Sequence, residues 1–408
     1  YFFVNLFFFC SLLPNTLIYG SYAFLGQNVF QGNHSTKIIA VISILLFWLM
    51  TWVCIKGVSW ISKVTSLAGG ARLFMGVAFV VLAFVVVFGF GNEPAQEFTT
   101  TSIMPTFNWT FFMTMAWILQ AVGGGESIGV YIKDVKGGNK TFVRTMIGAT
   151  IAVGIMYILG AVAVGLVVPT DVLKGNFSNG IFDIFKILGT YFHIPAAMMV
   201  RLVGIILFVG SLGSLALWTA APVKVFFSEI PDGVFGKWLV KTNEEGNPTN
   251  ALLVQGIIVT ILVAIPALGI GNMDSFLETL INMTASTSLV PVLFLLIAYI
   301  GLRWKKETMP RSFRFGNRTF GLIAGIFLLA IFIFVFFMST VPDPKLIMEE
   351  INGTLPKGTA SPLGMLAYNI IGLIVFMGFA WICWKRYETK EKNEVGKGEM
   401  DYEDLGKL

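Results

Sequence analysis

The chain has 408 residues, 56% hydrophobic and 12% charged, with a mean hydropathy of +0.78. A soluble domain carries roughly 25% charged residues to cover its core, so a soluble enzyme, a disordered chain and a nucleic-acid binder are all excluded. The formal net charge of +5 implies no nucleic-acid partner, because membrane proteins sort basic residues to one side of the bilayer.

A bilayer core of about 30 Å needs roughly 20 apolar residues per helix. Ten runs qualify: 4–30, 37–57, 61–90, 107–133, 142–169, 194–221, 250–270, 274–302, 319–340 and 362–385. They are long and continuously apolar, which favours helices over the short alternating strands of a barrel. The predicted fold is an all-α polytopic membrane protein, with a short amphipathic helix at 178–190 in one loop. Twenty-one Lys and Arg fall in one alternate set of loops and the tail, against five in the other. That bias puts the tail, 386–408, in the cytoplasm as a charged, disordered segment. Residues 1–385 form one transmembrane domain.

Arg72 lies about twelve residues into the third run, roughly 18 Å along a helix and well inside the bilayer. The fourth run carries Gly123-Gly124-Gly125-Glu126-Ser127. Three consecutive glycines each cost a helix about 1 kcal/mol relative to Ala. A helix unwound in mid-membrane offers free N–H groups to anions and free carbonyls to cations, which suits a zwitterionic amino acid. Glycines alone would equally serve close helix packing. Glu126 favours a site, because an intramembrane carboxylate is costly and usually functional. Gln120 precedes the break on the same run.

The sixth run reads Gly210-Ser211-Leu212-Gly213-Ser214 and then Trp218. Its small residues permit close packing, whereas Trp218 is either a wall of the cavity or an interfacial belt residue. The eighth run holds Asn282, Thr284, Ser286, Thr287 and Ser288, either lining the same cavity or bonding to neighbouring helices. Cys10, Cys54, Cys383, His34 and His193 are scattered and form no metal-ligand spacing. No metal or cofactor is expected.

These residues resemble the amino acid–polyamine–organocation (APC) superfamily, in its glutamate/GABA-antiporter-like bacterial branch. Val200-Arg201 through Trp218 to Pro222-Val223-Lys224 is similar to that branch's eighth helix. Pro231-Asp232-Gly233 to Asn247-Pro248 is similar to the loop that follows it. Gly124-x-Glu126-Ser127 matches the break in the sixth helix, and Gly57-Val58 with Lys63 and Arg72 resembles the start of the fifth. The resemblance implies a LeuT-type inverted repeat of five plus five helices with two more. The ten runs would then be family helices three to twelve. Helices one and two, the first carrying the other half of the substrate site, have no counterpart in the chain. With Tyr1 at its head instead of Met, the chain is expected to be an N-terminally truncated fragment.

The resemblance also implies that Arg72 stands where sodium-independent members place a Lys, as a fixed surrogate for the cation. Arginine keeps its proton in proteins, so exchange is favoured over proton coupling through this residue. A structural ion pair or a snorkelling Arg is the alternative. By resemblance Glu126 links helices or titrates during the cycle, and Trp218 gates the substrate. Arg201 is a candidate to pair with Glu278 or Glu126, or to hold an acidic substrate. The expected substrate set is Gly123, Gly124, Gly125, Glu126, Ser127, Gln120, Trp218, Ser214 and Asn282, with Arg72, Glu126 and Arg201 in coupling or structural roles.

The function expected is a secondary active amino-acid antiporter or permease in the plasma membrane. A proton-coupled amino-acid or polyamine symporter is the alternative, and a channel is disfavoured by the absence of filter-like rings. No P-loop is present for ATP hydrolysis, and an intramembrane enzyme could rest only on a pair between Glu126 and Glu278, the two intramembrane carboxylates, on separate helices. The partners are an amino acid or related amine and the lipid bilayer. The oligomeric state is left open, a homodimer among the options.

Overall fold

Each apolar run becomes a helix, because a backbone in lipid must satisfy its own hydrogen bonds. The computed structural model describes residues 2–32, 35–56, 61–123, 125, 135–174, 176, 178–229, 238–243, 247–269, 273–307, 309, 313–356 and 361–405. The first spans are α1 (Phe2–Leu25), α2 (Ser35–Ile55) and α3 (Ile61–Phe84), the last continued by a π-helical turn at Val85–Gly89. After a short α4 (Thr100–Ile103) come α5 (Trp109–Val122), α6 (Gly138–Val167), α7 (Thr170–Leu173) and α8 (Gly180–Tyr191). The second half holds α9 (Ala196–Glu229), α10 (Thr249–Gly269), α11 (Met273–Lys305), α12 (Arg318–Thr340), α13 (Pro344–Ile351) and α14 (Pro362–Leu405).

Among the described residues, nine helices are long and apolar enough to cross a membrane: α1, α2, α3, α6, α9, α10, α11, α12 and α14. The chain is therefore an all-helical polytopic membrane protein. The run expected at 107–133 supplies α5, only 14 residues long, because the helix stops at the glycines. The amphipathic helix expected at 178–190 is α8. The segment expected to be a disordered tail continues α14 as helix to Leu405; its Glu and Lys are good helix formers.

Association of apolar helices in lipid rests on close packing and hydrogen bonds, not on a hydrophobic drive. The central pair is α1 and α9. Gly204 makes their crossing: a Cβ there would stand 2.5 Å from the Ala23 backbone nitrogen. Around this pair the packing has a regular pattern. α2 packs on α10, α1 on α11, and α9 on α3. Exchanging α1 with α9, α2 with α10 and α3 with α11 leaves these pairings unchanged. A second, smaller apolar cluster joins Ala116 of α5, Ala285 and Leu289 of α11 and Val335 of α12. Large apolar side chains such as Phe327 of α12 and Ile374 of α14 point outward, as on a lipid-facing surface.

Proline interrupts several spans. Pro266 has no N–H for Leu262 O, four residues back. The Tyr368 hydroxyl of α14 donates to that carbonyl at 3.0 Å, so a neighbouring helix repairs the ladder.

Candidate functional site

α5 begins with Asn108, whose side chain accepts from Phe111 N at 2.8 Å, the usual role of an N-cap. It ends at Val122, and Gly123 is extended, with φ −73° and ψ −171°. The Gly123 N–H turns back to Leu119 O at 3.0 Å and Gln120 O at 3.1 Å. A Cβ at 123 would lie 3.0 Å from Leu119 O, so this tight exit is suited to glycine. At Gly125 a Cβ would meet the Met146 methyl of α6 at 2.6 Å. Gly124, Glu126 and Ser127 lie outside the described residues. Gln120 is half-buried in the last turn before the break.

The α11 polar stretch bonds to its neighbours, one residue to each. Asn282 accepts from the Trp117 indole N–H of α5 at 2.6 Å. Thr284 donates to Phe7 O of α1 at 2.9 Å, and Ser286 donates to Ser339 O of α12 at 3.0 Å. Thr284 and Ser286 share these bonds with Leu280 O at 2.7 Å and Asn282 O at 2.9 Å of their own helix, whereas Thr287 and Ser288 donate only to carbonyls of α11. Asn282 is 4% exposed, and its side-chain oxygen fixes α5 one to two turns before the break.

Arg72 of α3 reaches across to α9. Its Nη1 donates to Ser214 Oγ at 3.1 Å, and its Nη2 donates to Ser211 Oγ at 2.8 Å and Leu207 O at 3.4 Å. Ser214 passes its own proton to Gly210 O at 3.0 Å. Gly210 makes room, because a Cβ there would lie 2.2 Å from Arg72 Nε. That Nε–H is buried without an acceptor among the described residues, and no carboxylate pairs with the guanidinium among them. Arg72 is therefore not half of an ion pair among the described residues. It is a cation seated on neutral oxygens.

Trp218 lies one turn beyond Ser214 on α9 and is half-buried. Its ring packs on Phe8 of α1, with centroids 5.4 Å apart and planes inclined at 57°. The pairing of Arg201 with Glu278 is not formed. Arg201 lies in the second turn of α9, exposed, and its Nη1 donates to Phe24 O at 3.0 Å. There it caps the C-terminal end of α1, where free carbonyls attract a cation. The helix starts only five residues earlier, at Ala196.

The candidate residues thus fall into two groups. Arg72, Ser214 and Trp218 line one face of α9. Gln120, Gly123, Gly125 and Asn282 gather where α5 meets α6 and α11. α1 touches both sides, through Phe8 at Trp218 and Phe7 O at Thr284. Sequence reasoning passed over Ser211, Trp117 and Phe8. Ser211 was visible as a second hydroxyl three residues before Ser214, whereas an aromatic inside an apolar run carries no signal of its own. Among the described residues no three His, Cys, Asp or Glu side chains converge as a metal-ligand set.

Many helices able to cross a membrane, one short apolar helix that stops at a glycine and a cation held on neutral oxygens are features of a transporter. The chain belongs to the amino acid permease family, whose profile matches residues 1–354. This is a family of transporters, and the chain is no enzyme. It is 28% identical to the aspartate/glutamate permease AcaP of Lactococcus lactis subsp. cremoris (strain MG1363), over 71% of this chain and 60% of that protein. It is 26% identical to the glutamate/gamma-aminobutyrate antiporter of Lactococcus lactis subsp. lactis (strain IL1403), over 89% of this chain and 70% of that protein. With the inner membrane transporter YjeM of Escherichia coli (strain K12) it shares 22% identity, over 70% of this chain and 60% of that protein. The chain therefore spans 60% of the length of AcaP and YjeM.

Proposed function

We propose that the chain is the transmembrane part of a secondary active amino-acid exchanger, working by alternating access around the break at 123–127. The observation that carries this reading is Arg72. A permanent cation held by Ser211, Ser214 and Leu207 O joins α3 to α9 with oxygen ligands of the kind a bound sodium ion would use. Because arginine keeps its charge, that joint needs neither sodium nor a proton. The driving force then comes from the counter-substrate.

The packing supports a LeuT-type repeat. With α5 and α6 counted as spans, each exchanged partner lies five spans further on, as an internal five-helix repeat requires. In that register the chain supplies family helices three to twelve, and α5 with the residues after it is the broken sixth. Free backbone groups at the break take the substrate's carboxylate and amine. Gln120, Glu126, Ser127 and Trp218 complete its surroundings, while Asn282 positions α5 and Ser214 serves Arg72. The substrate class we assign is an acidic amino acid or its decarboxylated amine, taken from the names of the two lactococcal relatives. Residues 1–385 form the permease domain and 386–408 a cytoplasmic extension, in the plasma membrane.

Counterflow in proteoliposomes tests this. Uptake of labelled glutamate should accelerate with internal glutamate or γ-aminobutyrate and be unaffected when choline replaces sodium. Strict sodium dependence in both wild type and Arg72→Lys would reject the surrogate cation. An ohmic current independent of substrate would reject the exchanger.

A further inference from the structure

We propose that the loop between α11 and α12 is a binding surface for the anionic headgroups of phospholipids. Residues 303–318 contain six basic residues and one acid, a net +5 that equals the formal charge of the whole chain. Basic residues at the end of a span are ordinary; the organisation of these is specific. Arg303 turns inward and is 2% exposed. Its Nε donates to the Tyr299 hydroxyl at 3.2 Å and its Nη1 to Glu307 at 3.3 Å. Its Nη2 donates to Phe315 O at 2.6 Å and Gly316 O at 3.3 Å. A Cβ at Gly321 would lie 2.7 Å from that nitrogen, so α12 is cut away to admit it. Arg318 donates to Trp304 O at 2.8 Å and ties the start of α12 to the end of α11.

These bonds have two consequences. The single acid of the segment is engaged by a buried cation, leaving Lys305 and Arg314 without an acidic partner among the described residues. The strapped loop also presents Lys305, Lys306, Arg314 and Arg318 outward beside rings that remain open: Trp304 is 64%, Phe313 51% and Phe315 52% exposed. Toward the end of the last span, α14 carries a similar grouping, with exposed Trp381 and Trp384 followed by Lys385 and Arg386. Aromatic rings favour the bilayer interface, and basic clusters beside a span attract anionic lipid. An acidic peptide would satisfy the charges and leave the rings in water. An anionic phospholipid satisfies both, with its phosphate on the cations and its glycerol and upper acyl chain against the rings.

Native mass spectrometry of the intact protein, released from micelles holding equal dioleoylphosphatidylglycerol and dioleoylphosphatidylcholine, reads this directly. Wild type should retain phosphatidylglycerol preferentially, and Lys305→Gln with Arg314→Gln should lower that preference by on the order of tenfold or more, at about fivefold per cation. Lys305→Arg should keep it, as should Lys390→Gln with Lys392→Gln, which removes the same charge elsewhere. Equal retention of the two lipids by wild type overturns the proposal. So does an unchanged preference in the loop variant, an equal loss in the control, or displacement of the lipid by an equal concentration of inorganic phosphate. Should the loop variant fail to fold, a benzophenone amino acid at Phe313 in the otherwise unchanged chain decides. Cross-linking mainly to phosphatidylglycerol supports the surface, and equal cross-linking to phosphatidylcholine refutes it.

Discussion

Arg72 and Arg201 both stand in apolar runs, yet their partners give them different work. Arg72 depends on the missing side chain at 210. In Gly210→Ala the new methyl would overlap Arg72 Nε, which lies 2.2 Å from the Cβ position, and the guanidinium must leave its two serines. Losing hydrogen bonds to a charged group costs about 1.5–3 kcal/mol. Counterflow exchange should therefore slow by about tenfold or more, and a wild-type rate in this variant would show that transport does not use the joint. Arg201→Gln removes only the cap on Phe24 O. Thermal unfolding should show a loss of about 0.3–1 kcal/mol with the exchange rate unchanged; loss of exchange in a folded protein would return Arg201 to the transport path.

At the scale of the helix, the repaired carbonyl at Pro266 makes a measurable prediction. Tyr368→Phe leaves Leu262 O without its donor, at a cost of about 1–3 kcal/mol. In a Pro266→Ala background the backbone N–H returns, and the same substitution should cost less. If the two costs are equal, the hydroxyl does something else. The spans themselves were legible because each is a continuous apolar run, and the interruption was legible only because Glu126 follows the three glycines, which alone would fit close packing equally well. The eighth run was readable only as two options. A polar side chain in a span must find a partner, but which neighbour Thr284 or Asn282 meets depends on how the helices are rotated against one another. That rotation is set by distant contacts such as the Gly204 crossing, which no local pattern reveals. The partner of Arg201 was open for a related reason: its bond to Phe24 O depends on how α9 packs against the end of α1.

At the scale of the whole molecule, α1 and α9 cross with their backbones in close approach at Gly204. Gly204→Ala would force apart two backbones now separated by less than a side chain, at a cost of about 1–3 kcal/mol, visible as a lower midpoint of thermal unfolding. An unchanged midpoint would mean that the crossing relaxes at no cost. A different consequence follows from five of the hydrogen bonds between segments far apart in the chain. Thr284 ends on Phe7 O, Ser286 on Ser339 O, Tyr368 on Leu262 O, Arg201 on Phe24 O and Trp109 on Val341 O. In every one the acceptor is main chain, and a main-chain carbonyl is present whatever residue carries it. Each joint therefore constrains the sequence on one side only. Phe7→Leu should keep the α1–α11 bond that Thr284→Val would abolish. Helices joined in this way can exchange most of their side chains over time and still meet at the same points, provided the few donors stay in place.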